Sequence, residues 1–224
     1  VRDVDEGRTW LASANLDGAG GDGPSSGGSL SANGRYVAFT SVAGDLVSGD
    51  LNGVADVFVR DLADGRTIRA SAAPDGGDAD GASGGAVLSD DASVVAFWSS
   101  AALLPTDDNG LTDAYLRDVV VGGLELLSSR PDGTASRSGA SFPAAISAEG
   151  SFVVVATRAE DLVGDDVNGH ADVVVRDRDR DVTVLVSRAD DGGDGDGDSG
   201  MRPGDDGSEG SDVAVADISD DGRL

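Results

Sequence analysis

The stretch that decides the fold is residues 34–71, which read GRYVAFTSVAGDLVSGDLNGVADVFVRDLADGRTIRAS. Two later stretches, 92–129 and 150–187, repeat its succession of an apolar run, an acidic loop containing Asn-Gly, and a second apolar run that ends in Arg-Asp. A serine precedes each copy at the same distance, and these serines are Ser31, Ser89 and Ser147. Self-similarity at one period is the sequence signature of a repeat architecture. The copies therefore predict one structural unit that is built three times.

Each copy carries four strand signals. Val-rich runs bounded by Gly, Asp and Asn are typical of strands, and no segment shows a sustained helical period. The first strand of a unit precedes the tight turn, at 85–89 and 144–147, and the second follows it, at 36–41, 94–99 and 152–157. The third strands are predicted at 56–62, 113–119 and 172–178, and the fourth at 67–71, 124–128 and 182–187.

The turn between the first two strands has a sequence signature of its own. Asn33-Gly34, Glu149-Gly150 and Asp221-Gly222 suit a tight hairpin, because Gly accepts a positive φ angle. The second copy has Asp91-Ala92 at this place. We therefore expect the turn of the second copy to be looser than the others or strained.

A four-stranded unit of this length, repeated, is typical of a β-propeller blade, and a β-helix would repeat at a much shorter period. We predict an all-β fold, with three full four-stranded antiparallel blades and partial blades at both ends. Val1-Arg2-Asp3 matches Val59-Arg60-Asp61, so the chain is expected to begin at the third strand of a blade. The predicted organisation is a single incomplete propeller over 1–224, divided into 1–30 (end of a blade and linker), 31–88, 89–146, 147–218 (a blade with a longer acidic loop) and 219–224 (start of the next blade).

Composition excludes several classes of function. The chain has 16 basic and 42 acidic side chains, a net charge of −26, no Cys and one His. Such a charge repels phosphate backbones and anionic lipid, so we expect neither nucleic-acid binding nor membrane insertion. Without Cys there are no disulfides, thiolate nucleophiles or cysteine zinc sites.

The acidic loop between the second and third strands carries the motif Asp-x-Asn-Gly-x-x-Asp. Carboxylate and amide oxygens around a sharp Gly turn are what a hard cation such as Ca²⁺ needs, although the terminal Glu of a calcium loop is missing. The alternative is that Asp and Asn only cap the turn through their side chains. The candidate metal ligands are Asp50, Asn52, Asp56, Asp107, Asn109, Asp113, Asp166, Asn168 and Asp172.

Two other features have a structural interpretation. Arg-Asp ends the third strand in every copy, and a catalytic carboxylate in every blade is implausible. We expect the Asp to lie in the hairpin turn and the Arg to pair with an acid of a neighbouring blade. Trp98 follows Phe97 on a second strand and is expected to pack between blades, with a ligand platform as the alternative.

The strand pair SANGRYVAF at 31–39, followed by DVFVRDL at 56–62 and a short closing strand, resembles the TolB-like (WD40-like) β-propeller repeats. The inserted DLVSGDLNGVAD resembles a bacterial subgroup of them. The resemblance covers essentially the whole chain. It implies a propeller of about six or seven blades, of a family that is usually exported and often non-enzymatic and used for protein contacts.

Since one fold hosts many functions, the resemblance implies no single activity. We expect a non-catalytic scaffold for a protein or glycan partner, with calcium as a possible stabilising ion, located in the periplasm or outside the cell. The alternative is the gating or catalytic propeller of a larger secreted hydrolase.

Overall fold

The computed structural model describes residues 1–164, 166–188, 195, 197, 199 and 218–222. The described residues contain twelve β-strands and no helix. The strands form three separate four-stranded sheets, and every neighbouring pair is antiparallel. The predicted all-β fold of four-stranded blades is confirmed.

Each sheet follows the order of its strands in the chain. The first blade contains β1 (Ser25–Leu30), β2 (Tyr36–Ser41), β3 (Asp56–Asp61) and β4 (Thr67–Arg69). The second contains β5 (Ser83–Leu88), β6 (Val94–Ser99), β7 (Asp113–Asp118) and β8 (Leu124–Leu126). The third contains β9 (Ser141–Ile146), β10 (Phe152–Thr157), β11 (Asp172–Asp177) and β12 (Val182–Leu185).

The first strands of neighbouring blades contact each other, β1 with β5 and β5 with β9. Between them the backbone N–H of Leu88 donates to the Ser29 hydroxyl at 2.9 Å. These strands are rich in Gly, Ala and Ser, which permits the close approach of neighbouring backbones at the inner edge of the sheets. Each blade starts one strand before the anchoring serine, so the sheets cross the boundaries of the sequence repeat at Ser31, Ser89 and Ser147.

The core lies between the sheets. Side chains on a strand alternate between its two faces. Val95 and Phe97 of β6 pack toward the first blade, in a cluster with Val57 and Val59. Ala96, also on β6, packs toward the third blade, in a second cluster. A central blade therefore needs apolar side chains on both faces, which explains why its strands read as continuous apolar runs.

The turns between the first two strands have one geometry in all copies. Gly34 N–H donates to Ser31 O at 2.9 Å, and Ala92 N–H donates to Ser89 O at the same distance. Ala92 has a φ angle of +59°, in the left-handed region that Gly34 occupies at +69°. The expectation of a looser turn in the second blade is wrong, because the alanine is held in the same closed conformation. Strain at Ala92 is the alternative that the structure supports.

Partial blades lie at both ends. At the start of the chain, Asp3 N–H donates to Arg8 O at 2.9 Å, which repeats the bond from Asp61 N–H to Arg66 O at 2.9 Å in the hairpin between β3 and β4. At the other end, Ala148 N–H donates to Asp220 O at 3.2 Å, as Ala32 N–H donates to Asp90 O at 3.0 Å. Residues 218–222 therefore occupy the place of the next blade's first turn.

Candidate functional site

The long loops of all blades lie on one side of the molecule. In an antiparallel sheet, alternate connections lie at opposite ends of the strands. The connections from second to third strand, and from fourth strand to the next blade, form what we call the loop rim: residues 42–55, 70–82, 100–112, 127–140, 158–164 and 166–171. The opposite side carries the short turns and is called the turn rim. The Asp-x-Asn-Gly motif lies on the loop rim in each blade.

The Asn of the motif closes its own turn. Its Oδ1 accepts the backbone N–H of the residue two positions later, at 3.1 Å from Val54, 2.6 Å from Leu111 and 2.7 Å from His170. Its amide nitrogen donates to the last Asp of the motif, at 2.8 Å in Asn52–Asp56, 2.7 Å in Asn109–Asp113 and 3.0 Å in Asn168–Asp172. The same nitrogen contacts a carbonyl of the segment that leads to the next blade, that of Ala79, Ser136 or Gly195. Each Asn therefore joins three parts of the loop rim.

The last Asp of the motif is fully buried and binds a serine that ends the repeat. Asp56, Asp113 and Asp172 accept the hydroxyl of Ser71, Ser128 and Ser187, respectively. Each hydroxyl accepts in turn the first backbone N–H of the third strand after that Asp, at 3.0 to 3.1 Å. We call this unit the Asn–Asp–Ser clamp. The sequence interpretation missed the serine, although Ser recurs at the end of every copy.

These contacts are those of the turn-capping alternative. The Asn oxygen accepts a backbone N–H, and the oxygens of the last Asp accept from Asn and Ser, so these two residues of the motif are satisfied within the loop. Among the residues that the structure describes, no group of three or more His, Cys, Asp or Glu side chains is arranged to hold a metal ion. Calcium binding at these nine residues stays a prediction.

The first Asp of the motif has a different partner in each of the first two blades. Asp50 forms an ion pair with Arg69, with 3.0 Å between Asp50 Oδ1 and the Arg69 guanidinium. Asp107 accepts a hydrogen bond from the Tyr115 hydroxyl on its Oδ2. Both carboxylates are buried, with 6% and 5% exposure. This carboxylate thus recurs at the same position of the motif, but its partner is Arg69 in the first blade and Tyr115 in the second.

Burial also changes the acidity of these groups. Desolvation raises the pKa of Asp113 to about 6 and raises that of Asp107 above its ordinary value. Desolvation and the neighbouring Asp56 raise the pKa of Asp50, and Arg69 opposes them. Because a buried carboxylate resists ionisation unless a cation or several donors face it, the second blade holds the less compensated pair.

The Arg-Asp pairs have the structural role that was expected of the Asp. Asp61 Oδ1 accepts the N–H groups of Ala63 and Asp64, and Asp3 and Asp118 cap their turns in the same way. The expectation for the Arg is correct only for Arg176, which lies 3.9 Å from Glu125 of the preceding blade. Arg60 donates instead to Ala14 O, and Arg117 to Ala70 O and Ala72 O. Backbone carbonyl groups, and not acidic side chains, therefore accept from the guanidinium groups of Arg60 and Arg117.

A small cavity of about 180 Å³ lies where the first strands of the three blades meet. Trp98 lines it and contacts Phe142 edge-on, with 6.2 Å between ring centroids. Gly84 and Gly85 give the indole its space, since a Cβ at either would lie 2.8 or 2.6 Å from it. Trp98 of the second blade therefore packs against the third, as predicted.

The described residues include no helix of the length and hydrophobicity that a bilayer crossing needs.

Solved structures similar to this chain include two TolB proteins and the β-propeller domain of a protease. TolB from Acinetobacter baumannii matches with a TM-score of 0.43 and 19% identity, over 82% of this chain and 36% of that chain. The putative TolB from Agrobacterium tumefaciens matches with a TM-score of 0.47 and 18% identity, over 72% of this chain and 48% of that one. The β-propeller domain of the Trilobed protease from Pyrococcus furiosus has a TM-score of 0.44 and 9% identity, over 72% and 41%.

This chain thus spans less than half the length of either TolB chain. No protein-family model and no curated protein matches the sequence. The likeness to TolB concerns the fold alone.

Proposed function

We propose that this chain is part of a non-catalytic β-propeller that binds a protein partner through the loop rim. One observation carries the proposal. The position between Asp and Asn of the motif holds an apolar side chain in two blades, Leu51 and Val167, which are 87% and 80% exposed. In the second blade the same position holds Asp108, which is also exposed.

The clamps explain why this exposure supports binding. Beside Leu51, Asp50 is buried and forms an ion pair with Arg69, and Asn52 is half-buried and donates to Asp56 at 2.8 Å. A tip held in this way loses little conformational freedom when a partner covers it. A partner that covers these tips removes two large apolar side chains from water, which favours association.

The charge of the chain indicates the chemistry of the partner. With a net charge of −26, the chain attracts basic surfaces over a distance and repels acidic ones. We therefore expect a partner that offers an apolar recess bordered by Arg or Lys. A periplasmic or extracellular location belongs to the same proposal and follows the resemblance to exported propellers.

The test compares the two rims. A double substitution Leu51→Ser and Val167→Ser removes the apolar tips, and Val120→Ser with Val121→Ser removes two exposed valines from the turn rim as a matched control. The immobilised chain captures a partner from an extract of exported proteins, and the affinity is then measured with the purified partner. We expect the loop-rim variant to bind at least about 10-fold more weakly and the control to bind as the wild type does.

Equal affinity of the wild type and the loop-rim variant would contradict the proposal. If the partner proves to be a glycan, the proposed class of partner is wrong and the proposed binding surface still holds. Turnover of peptide or glycan substrates by the longer protein, abolished by a substitution in this chain, would favour the alternative of a hydrolase propeller.

A further inference from the structure

We propose that the second blade binds a divalent cation, Ca²⁺, between Asp107 and Asp113, at the position where the first blade holds the guanidinium group of Arg69. The first blade, in which Arg69 already lies against the motif carboxylates, should bind no such ion. Cation binding does not depend on partner binding by the loop rim.

The first blade shows a cation seated against the motif carboxylates. The same guanidinium nitrogen of Arg69 lies 3.0 Å from Asp50 Oδ1 and 3.8 Å from Asp56 Oδ2. It also lies 2.5 Å from Asp78, which is partly exposed. The Arg69 side chain is only 5% exposed, so these charges meet away from water. A buried carboxylate pair with a cation between its oxygens is the arrangement that charge burial requires.

The second blade keeps the carboxylates and lacks the guanidinium. Arg69 lies opposite Phe58 in the first sheet, and Leu126 lies opposite Tyr115 at the same place in the second. Among the described residues, no Arg forms an ion pair with Asp107 or Asp113. Asp107 and Asp113 are therefore buried with Leu126, and not a cationic side chain, at the strand position of Arg69.

One oxygen of this pair is left over. Asp107 Oδ2 accepts from Tyr115, whereas Asp107 Oδ1 is buried and has no hydrogen-bond partner within the described part of the chain. Its equivalent, Asp50 Oδ1, is the oxygen that contacts Arg69 in the first blade. A buried carboxylate oxygen without a donor is costly, and one that faces a second carboxylate is more so.

A hard cation suits the unpartnered oxygen of Asp107 beside the buried carboxylate of Asp113. Ca²⁺ takes carboxylate and carbonyl oxygens in flexible geometry and completes its shell with water. Two carboxylates are few for such a site, so we expect weak binding, with a dissociation constant of about 0.1–1 mM, the range of extracellular calcium modules. Asn109 supports the site by holding Asp113 through its amide nitrogen.

The experiment compares thermal and urea unfolding of the whole chain in CaCl₂, in excess chelator, and in NaCl of equal ionic strength. The NaCl arm measures screening of the net charge of −26 alone. We expect that Ca²⁺ at about 100 times its dissociation constant raises the folding equilibrium constant about 100-fold over chelator, beyond any effect of NaCl. Asp107→Asn should abolish this increment and unfold at a higher temperature than the wild type in chelator, because it replaces the orphan oxygen by a neutral donor. Asp108→Asn, in the same loop but exposed, is the control and should keep the increment.

Leu126→Arg and Arg69→Leu exchange the side chains at the equivalent position on the fourth strands of the two blades. Leu126→Arg should supply the missing cation and remove the calcium effect, while Arg69→Leu should add a second calcium site in the first blade, seen as increased stoichiometry in calorimetric titration. Tb³⁺ luminescence of the folded wild type gives a second readout that needs no unfolding measurement. Tyr115 contacts Asp107 and should therefore sensitise bound Tb³⁺. Tyr115→Phe should reduce this luminescence.

Three results would overturn the inference. These are equal unfolding of the wild type in calcium and in chelator, an unchanged calcium increment in Asp107→Asn, and a Tb³⁺ signal that Tyr115→Phe leaves unchanged. If instead lowering the pH through 6 stabilises the wild type while calcium has no effect, the carboxylate pair holds a proton and not a metal ion.

Discussion

The first and second blades share a fold and a motif but neutralise the buried carboxylates of the motif differently. Both contain the Asn–Asp–Ser clamp with the same donors and acceptors. In the first blade the fourth strand adds Arg69, which pairs with Asp50, while in the second the Tyr115 hydroxyl takes one oxygen of Asp107 and Leu126 replaces the arginine. The clamp is thus the repeated structural element, and one position on the fourth strand sets the electrostatics of each loop.

Removal of Arg69 should give the largest effect. Arg69→Leu leaves Asp50 and Asp56 buried without their cation, which we expect to lower the free energy of unfolding by about 3–5 kcal/mol in chelator. Urea unfolding monitored by tryptophan fluorescence measures it. Arg66→Leu is the matched control, because Arg66 is exposed, and should change stability by less than about 0.5 kcal/mol. Equal effects of the two variants would show that Arg69 does not neutralise the pair.

The pH dependence of stability should differ between the blades. The pKa of Asp113 is raised to about 6 from 3.8, so its protonated form is favoured in the folded state. Its contribution is fully present below about pH 4 and is lost as the pH rises through 6, which amounts to about 2–3 kcal/mol between these limits in chelator.

Asp113→Asn removes this titration, so the difference in stability between variant and wild type should change over this pH window. Asp108→Asn, at an exposed carboxylate of the same loop, should leave the profile as it is. A parallel profile for wild type and Asp113→Asn would contradict the assignment.

Removing the serine of the clamp should lower the free energy of unfolding by less than removing Arg69 does, and by a similar amount in both blades. Ser71→Ala deprives buried Asp56 and the N–H of Val57 of their shared partner, and Ser128→Ala does the same in the second blade. We expect a loss of about 1–2 kcal/mol for each in urea unfolding. Ser48→Ala, at an exposed loop serine, is the control. A large effect in one blade and none in the other would show that the clamp is not a repeated unit.

Substitutions in the turns between the first and second strands should change the free energy of unfolding least. Gly34→Ala places a methyl group in open space at a φ angle of +69°, so it should cost about 1 kcal/mol of backbone strain alone. Ala92→Gly relieves the same strain but removes a buried methyl worth about 0.8 kcal/mol, so its net effect should be close to zero. Thermal unfolding of both variants checks this, and a strongly destabilised Ala92→Gly would mean that the alanine is not strained.

The second strands show how far the sequence alone could go. The predicted 36–41, 94–99 and 152–157 coincide with β2, β6 and β10, because these runs are apolar on both faces and end at turn residues. The first strands begin earlier than predicted, at Ser83 and Ser141, since Gly and Ser carry little strand signal and are placed there by pairing with the second strand. In the loops, the Asp and Asn positions were found from the motif, but their partners were not.

The sequence by itself determined the repeat, the four strands of each unit and the Asn-Gly turn, because apolar runs and positive φ angles are local properties of a few adjacent residues. Only the tertiary structure decided that Ser71 holds Asp56, that Arg69 faces Asp50 and that Arg117 reaches carbonyls of the preceding blade. These contacts join segments that are distant in the chain and meet through strand register and blade stacking. The free energy of burying each charged side chain depends on desolvation and on all neighbouring charges and donors, and not on the motif alone.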